Sequence, residues 1–213
     1  ISAGRHIYKR EPSFPIAVAC DPAFNFVYEA NIRYLHHLGE VTYFSPLADT
    51  SLPDAGFVYF PGGYPELYLA ALSANRQMLQ SIRRYVESGG KLLAECGGMM
   101  YLCDEIRDKN GDVYPMAGVL HQSATMENMK LRLGYRTLLY NETRLKGHEF
   151  HYSRLVEQQN PLPSCAVAYT AKGVETDTPL YHYKNVWAGY THLYWADPVG
   201  NEWFTKFVID GNT

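Results

Sequence analysis

The chain has 213 residues, of which 46% are hydrophobic and 19% charged, with a net charge of −3. That size and balance suit one α/β domain with a large core, or one domain with an embellishment. Without a Lys/Arg run, nothing points to nucleic acid or an anionic membrane. The apolar runs are far below spanning length, and no stretch reads as a signal peptide. Four cysteines (Cys20, Cys96, Cys103, Cys165) stand at irregular spacing with no CxxC pair. This fits a reducing cytoplasm better than a disulfide framework or a zinc site. The chain opens on Ile1 and a polar lead-in through Ser13. Residues 1–13 therefore read as the cut end of a linker, and residues 14–213 as the folded domain.

Pro15 to Cys20 is a compact apolar run before the turn signal Asp21-Pro22, and predicts the first core strand. Phe26, Ala30, Ile32, Tyr34, Leu35 and Leu38 follow at mostly helical spacing, and Gly39 stops that helix. Val41 to Phe44 predicts a second strand and Gly56 to Phe60 a third, closed abruptly by Pro61-Gly62-Gly63. Helices are expected from Pro65 through Leu72 and from Met78 to Ser88. This rhythm is that of an open, largely parallel sheet with helices on both faces. The PGG loop lies at the carboxyl end of a predicted central strand, where such sheets bind ligands. Two successive glycines let backbone N–H groups face a ligand, although strand-terminating turns use the same dipeptide.

Lys91 to Glu95 reads as a short buried strand, Gly97 and Gly98 force a sharp turn, and Met99 onward reads as a helix. Cys96 thus sits between a strand end and a helix start, where unpaired N–H groups and the helix dipole are expected to lower a thiol pKa. Gly97 lets the backbone approach a substrate, and its N–H can point at a developing oxyanion. The arrangement is a strand–nucleophile–helix elbow, with Ala94 where the first glycine of that motif would stand. A buried structural cysteine before a glycine turn would show the same pattern.

Beyond the Asp108–Asp112 turn the pattern alternates in strand fashion. Gly118–Leu120, Leu131–Tyr140, His148–Val156 and Ala166–Thr170 are predicted antiparallel strands. Alternation puts His148, Phe150 and Tyr152 on one face and Glu149 with His151 on the other. The two histidines point apart and no third ligand stands nearby, so no metal is expected. Val186 to Tyr190 predicts a late strand, and a helix from Pro198 to Ile209 covers the edge. His192, near that strand's carboxyl end, is placed to face Cys96 across the crevice as a general base.

Four stretches, PGGYPE (61–66), AECGGMMYL (94–102), GHEFHYS (147–153) and GYTHLYW (189–195), resemble in that order the glutamine amidotransferase domain of cobyrinic acid a,c-diamide synthases. The resemblance spans Phe14 to about Phe207. It implies a flavodoxin-like class I domain that hydrolyses glutamine and passes ammonia to an ATP-dependent synthetase domain, which precedes it in the full-length enzyme. The corrinoid acceptor would be cobyrinic acid. No GxxxxGK[ST] phosphate loop occurs here, so ATP and Mg²⁺ are expected to belong to the synthetase domain, with no cofactor in this chain.

Carried over residue by residue, the resemblance makes Cys96 the nucleophile and His192 its base. Gly63 and Gly97 would supply the oxyanion N–H groups, with Gly62 the alternative donor of the PGG pair. Class I triads carry a glutamate two residues after the histidine; here that position is Tyr194, as in a Cys–His dyad. Glu95 is a tempting substitute, but strand geometry points it away from Cys96. His148, Glu149, His151 and Tyr152 are candidates for the acceptor site or the domain interface, with His148 and His151 as donors. Alternatives are the glutaminase of a cobyric acid synthase, a flavodoxin-like cysteine hydrolase that does not use glutamine, and an inactive interaction domain.

Overall fold

The apolar runs bounded by Gly and Pro form the central layer of the computed structural model, which describes residues 14–210. The polar lead-in read as a linker lies outside the described residues. Strand β1 (Phe14–Ala19) is followed by α1 (Glu29–Leu38), β2 (Gly39–Phe44) and β3 (Phe57–Phe60). Helix α1 begins three residues after Phe26 because that residue is instead drawn into an antiparallel bridge with Gly62. The helix expected from Pro65 is divided: a 3₁₀ turn (Pro65–Leu67) precedes α2 (Leu69–Ala74). Helix α3 (Arg76–Glu87) is capped by Asn75, whose Oδ1 accepts from Met78 N, and it buries Met78, Leu79, Ile82 and Val86 along one face. Then come β4 (Lys91–Glu95) and α4 (Gly97–Leu102).

The second half is strand-rich. Three-residue strands β5 (Glu105–Arg107), β6 (Val113–Pro115) and β7 (Ser123–Thr125) replace the strand expected at 118–120. A long hairpin, β8 (Arg132–Tyr140) and β9 (Thr143–His151), follows. The strand expected to run on to Val156 breaks at Tyr152, and β10 (Arg154–Leu155) joins a different sheet, pairing with β7. Strands β11 (Val167–Thr170), β12 (Glu175–Thr176), β13 (Leu180–Tyr183), β14 (Val186–Gly189) and β15 (His192–Leu193) lead to α5 (Pro198–Trp203). Asp197 caps α5 through a 2.7 Å bond from Gly200 N, a contact worth about 1 kcal/mol. The helix continues as a wider π turn over Phe204–Ile209.

The main sheet has the order β13-β14-β4-β3-β1-β2 and is parallel except at the β13 edge. Its side chains alternate between two cores. Ala17, Val58, Phe60, Leu92 and Ala94 pack with Leu72, Met78, Ile82 and Met99 from α2, α3 and α4. Ile16, Val18, Phe57, Tyr59, Leu93 and Trp187 pack with Leu35 of α1 and with Trp203 and Phe204. The sheet is therefore covered by helices on both faces, as the sequence predicts. The antiparallel extension is a second sheet, β12-β11-β8-β9-β15. Its last strand brings His192 beside His148 rather than leaving it on the main sheet. No helix among the described residues is long and apolar enough to cross a membrane.

Candidate active site

Cys96 is forced into its position by the joint between β4 and α4. Its backbone adopts φ 49° and ψ −108°, a conformation that costs a non-glycine residue roughly 1–3 kcal/mol. The cost is borne because both sides are fixed: Cys96 N donates to Gly189 O at 2.7 Å, and its carbonyl accepts from Met100 N at 3.0 Å. The strained turn aims the thiol at β9, where Sγ donates to Phe150 O at 3.7 Å.

A cavity of about 270 Å³ opens over the thiol, lined by Phe26, Gly63, Tyr64, Cys96, His148, Phe150 and His192. This is slightly below the roughly 300–1,000 Å³ of drug-sized pockets, and suits a small ligand. Two glycines make its close packing possible. A Cβ on Gly97 would lie 3.2 Å from Gly63 N and 2.7 Å from Pro65 Cδ, so the two backbones abut beside the thiol. A Cβ on Gly62 would collide with His192 Cε1, so the imidazole occupies the space that glycine vacates. The ring is backed on another side by Phe26, with centroids 4.3 Å apart.

This contact makes a direct test. Gly62→Ala leaves the backbone unstrained but displaces the imidazole. Since misplacement by about 1 Å can cost roughly 10²-fold, any reaction that uses this imidazole should slow by about that factor while the melting temperature changes little. A steady-state assay with a thermal melt checks both.

Electrostatics differ from the sequence expectation. Burial pushes the Cys96 thiol up to about 12; nearby Glu66 adds to this, and the Gly97 N–H opposes it. The short six-residue α4 does not outweigh this burial, so the thiol is not activated by a lowered pKa. Burial likewise pushes His192 down to about 3, assisted by His148 and His151. The resting pair is a neutral thiol and a neutral imidazole. Burial also raises the Glu95 carboxyl to about 7, against the hydrogen bonds from Tyr59 and Leu193 N.

The GHEFHYS residues divide between two places. His148 and Phe150 line the cavity. Glu149 and His151 face the opposite side in a closed cluster: His151 Nε2 meets Glu149 Oε1 at 2.8 Å, and its Nδ1 meets Ser153 O at 2.8 Å. The His151 ring stacks on Tyr190 at 3.7 Å. Glu149 also meets Arg136 Nε at 2.5 Å and accepts from Thr178. Burial favours the neutral acid, but His151, Arg136 and Thr178 hold its pKa below the ordinary value. With both ring nitrogens engaged, His151 is not a free donor of the kind expected of it as a candidate for the acceptor site or the domain interface. Tyr152 is exposed at the break after β9. Among the described residues, no group of His, Cys, Asp and Glu is placed to hold a metal ion. Phe26 and Tyr64 are cavity residues that sequence reading did not single out; the only signal was that Tyr64 directly follows the PGG loop.

Residues 15–199 match the model of the CobB/CobQ-like glutamine amidotransferase domain. The chain belongs to this family. Hydrogenobyrinate a,c-diamide synthase of Pseudomonas aeruginosa is 40% identical over 185 residues, which are 84% of this chain and 41% of that protein. Cobyrinate a,c-diamide synthase of Fusobacterium nucleatum is 39% identical over 188 residues, again 84% of this chain and 41% of the relative. The CobB/CobQ-like domain thus spans about two fifths of the length of these curated relatives. The PurLQS structure from Thermotoga maritima superposes with a TM-score of 0.57 at 17% identity, covering 84% of this chain and 87% of the matched chain. A glutamine amidotransferase from the same organism gives 0.52 at 12%, covering 91% and 82%. These two likenesses establish a shared fold.

Proposed function

We propose that this domain hydrolyses glutamine through Cys96 and His192 and supplies the ammonia to an ATP-dependent synthetase part of a longer a,c-diamide synthase. The observation that carries the reading is the convergence in one small cavity of a strained cysteine, a buried histidine and Gly63, whose backbone abuts that of Gly97. Cys96 Sγ attacks the carboxamide carbon as His192 takes the thiol proton. Because both groups rest neutral, proton transfer accompanies attack rather than preceding it. The oxyanion is held by the N–H groups of Gly63 and Gly97. Of the PGG pair, Gly63 is favoured because it lies against Gly97, whereas Gly62 lies against His192. Collapse expels ammonia, which leaves with the proton from the imidazolium, and a γ-glutamyl thioester remains. His192 then deprotonates a water that releases glutamate. Measuring glutamate and ammonia from glutamine with the purified chain tests the reading; a chain that turns over other amides or esters but not glutamine would support the related flavodoxin-like cysteine hydrolase.

The relatives' names and extra length support a corrin carboxylate as acceptor and a synthetase part, with ATP and Mg²⁺ expected there, in the cytoplasm. The outer face of the β8–β9 hairpin suits contact with that part. Leu133 and Tyr135, 56% and 72% exposed, pair across the strands with Phe150 and His148, which line the cavity. An apolar face continuous with the mouth of an ammonia-producing site is a natural place to exclude water during transfer. In the full-length protein, Tyr135→Asp should lower amide transfer by roughly tenfold or more while sparing glutamine hydrolysis. Equal loss of both would remove the face from this role. The isolated chain is expected to hydrolyse glutamine slowly, and faster once the loaded synthetase part aligns the PGG loop.

A further inference from the structure

We infer that Glu95 and Asn31 position His192 by gripping the backbone that follows it, doing the work of the absent triad carboxylate. The inference rests on His192 acting as the base. Among the described residues His192 has no conventional orienter: its Nδ1 is buried without a hydrogen-bond partner, and Tyr194 stands where an orienting acid would be. The imidazole is instead placed by its backbone, and β15 is only two residues long. On one edge that backbone is paired with β9, His192 opposite His148 and Leu193 opposite Gly147, and Tyr194 N donates to Lys146 O at 2.8 Å.

Among the described residues, the other edge has no strand beside it. Two buried side chains take a strand's place. Glu95 Oε1 accepts from Leu193 N at 3.0 Å, while its Oε2 accepts from Tyr59 Oη at 2.7 Å. Asn31 Nδ2 donates to Leu193 O at 2.8 Å, and its Oδ1 accepts from Trp195 N at 3.2 Å. Glu95 is 2% exposed and Asn31 fully buried. Burying a carboxyl and an amide is costly unless every group is partnered, and apolar residues would fill such a core at less cost. Here the amide and one carboxylate oxygen bond to the backbone of Leu193 and Trp195, just after the base. Glu95 also directly precedes Cys96. One strand end therefore carries the thiol toward the cavity and, on its other face, fixes the chain that presents the imidazole. Neither residue lines the cavity, so both are positioning residues.

The test is a set of glutamine-hydrolysis assays on the folded chain. Glu95→Ala should lower kcat roughly 10²-fold with KM little changed. Glu95→Gln should recover most of that loss, because its oxygen can accept from Leu193 N and its amide can donate to the Tyr59 hydroxyl. Asn31→Ala should also lower kcat with KM little changed. In a His192→Ala background, adding Glu95→Ala should cost nothing further, since it acts only through the imidazole. A Glu95→Ala chain with near-normal kcat would overturn the inference, as would the same fold-loss in both backgrounds. If Glu95→Ala does not fold, an Asn31→Ala chain that folds with unchanged kcat overturns it alone. Full activity in His192→Ala would instead sink the assignment of the base.

Discussion

Cys96→Ser is expected to abolish glutamine hydrolysis, by roughly 10⁴–10⁶-fold, while Cys20→Ser, Cys103→Ser and Cys165→Ser retain it. A hydroxyl is a far weaker nucleophile than a thiol, and nothing in this cavity compensates. His192 is tuned to accept a proton only as attack proceeds, and burial would hold an alkoxide even more strongly disfavoured than the thiolate. The other cysteines lack access to the cavity. Cys20 is exposed beyond β1, Cys165 is half-buried, and Cys103 is fully buried at the end of α4, donating to Met99 O at 3.6 Å. Cys103→Ser should cost stability without touching the chemistry. The raised thiol pKa adds a check. Alkylation of Cys96 by iodoacetamide should keep rising with pH through the mildly alkaline range, because the thiolate fraction grows until about 12. A plateau near neutrality would show a low-pKa thiol instead.

His192→Ala should cost about 10²–10⁴-fold or more, since the base and the nucleophile act as a unit. Tyr194→Phe should cost little: the ring of Tyr194 packs edge-on against Tyr28 at 5.7 Å, and its backbone, not its hydroxyl, ties it to β9. His148 is the control that matters, because it lines the same cavity and stands opposite His192 in the ladder. Loss of activity in His148→Ala with retention in His192→Ala would move the base into the GHEFHYS strand. His151→Ala should act differently from both. It breaks the closed cluster with Glu149, Ser153 and Tyr190, so a fall in melting temperature is its expected signature.

Much of the main sheet was legible because its strands are continuous apolar runs stopped by Gly or Pro. β1, β3 and β4 are each buried on both faces, which leaves no room for alternation. The β5–β7 sheet was not legible, because three residues are too few to carry a period. Nor was the break at Tyr152: GHEFHYS alternates smoothly, and only the exchange of partners from β8 to β7 ends the strand. At the site, the Gly-Gly after Cys96 and the PGG loop marked the joint correctly, since no side chain fits between Gly63 and Gly97. The lowered thiol pKa that the sequence leads one to expect is absent because local geometry favours a thiolate while burial, invisible in the sequence, opposes it. Strand geometry placed Glu95 away from Cys96. It could not disclose that the carboxylate reaches Leu193, 98 residues onward.

The assignment is tested most directly by mass spectrometry of the chain after reaction with an electrophilic glutamine analogue, a diazoketone of the side chain. One covalent adduct should form on the peptide carrying Cys96, and excess glutamine should prevent it. A glutamine-protectable adduct on Cys103 or Cys165, or labelling of Cys96 that glutamine does not slow, would contradict the account.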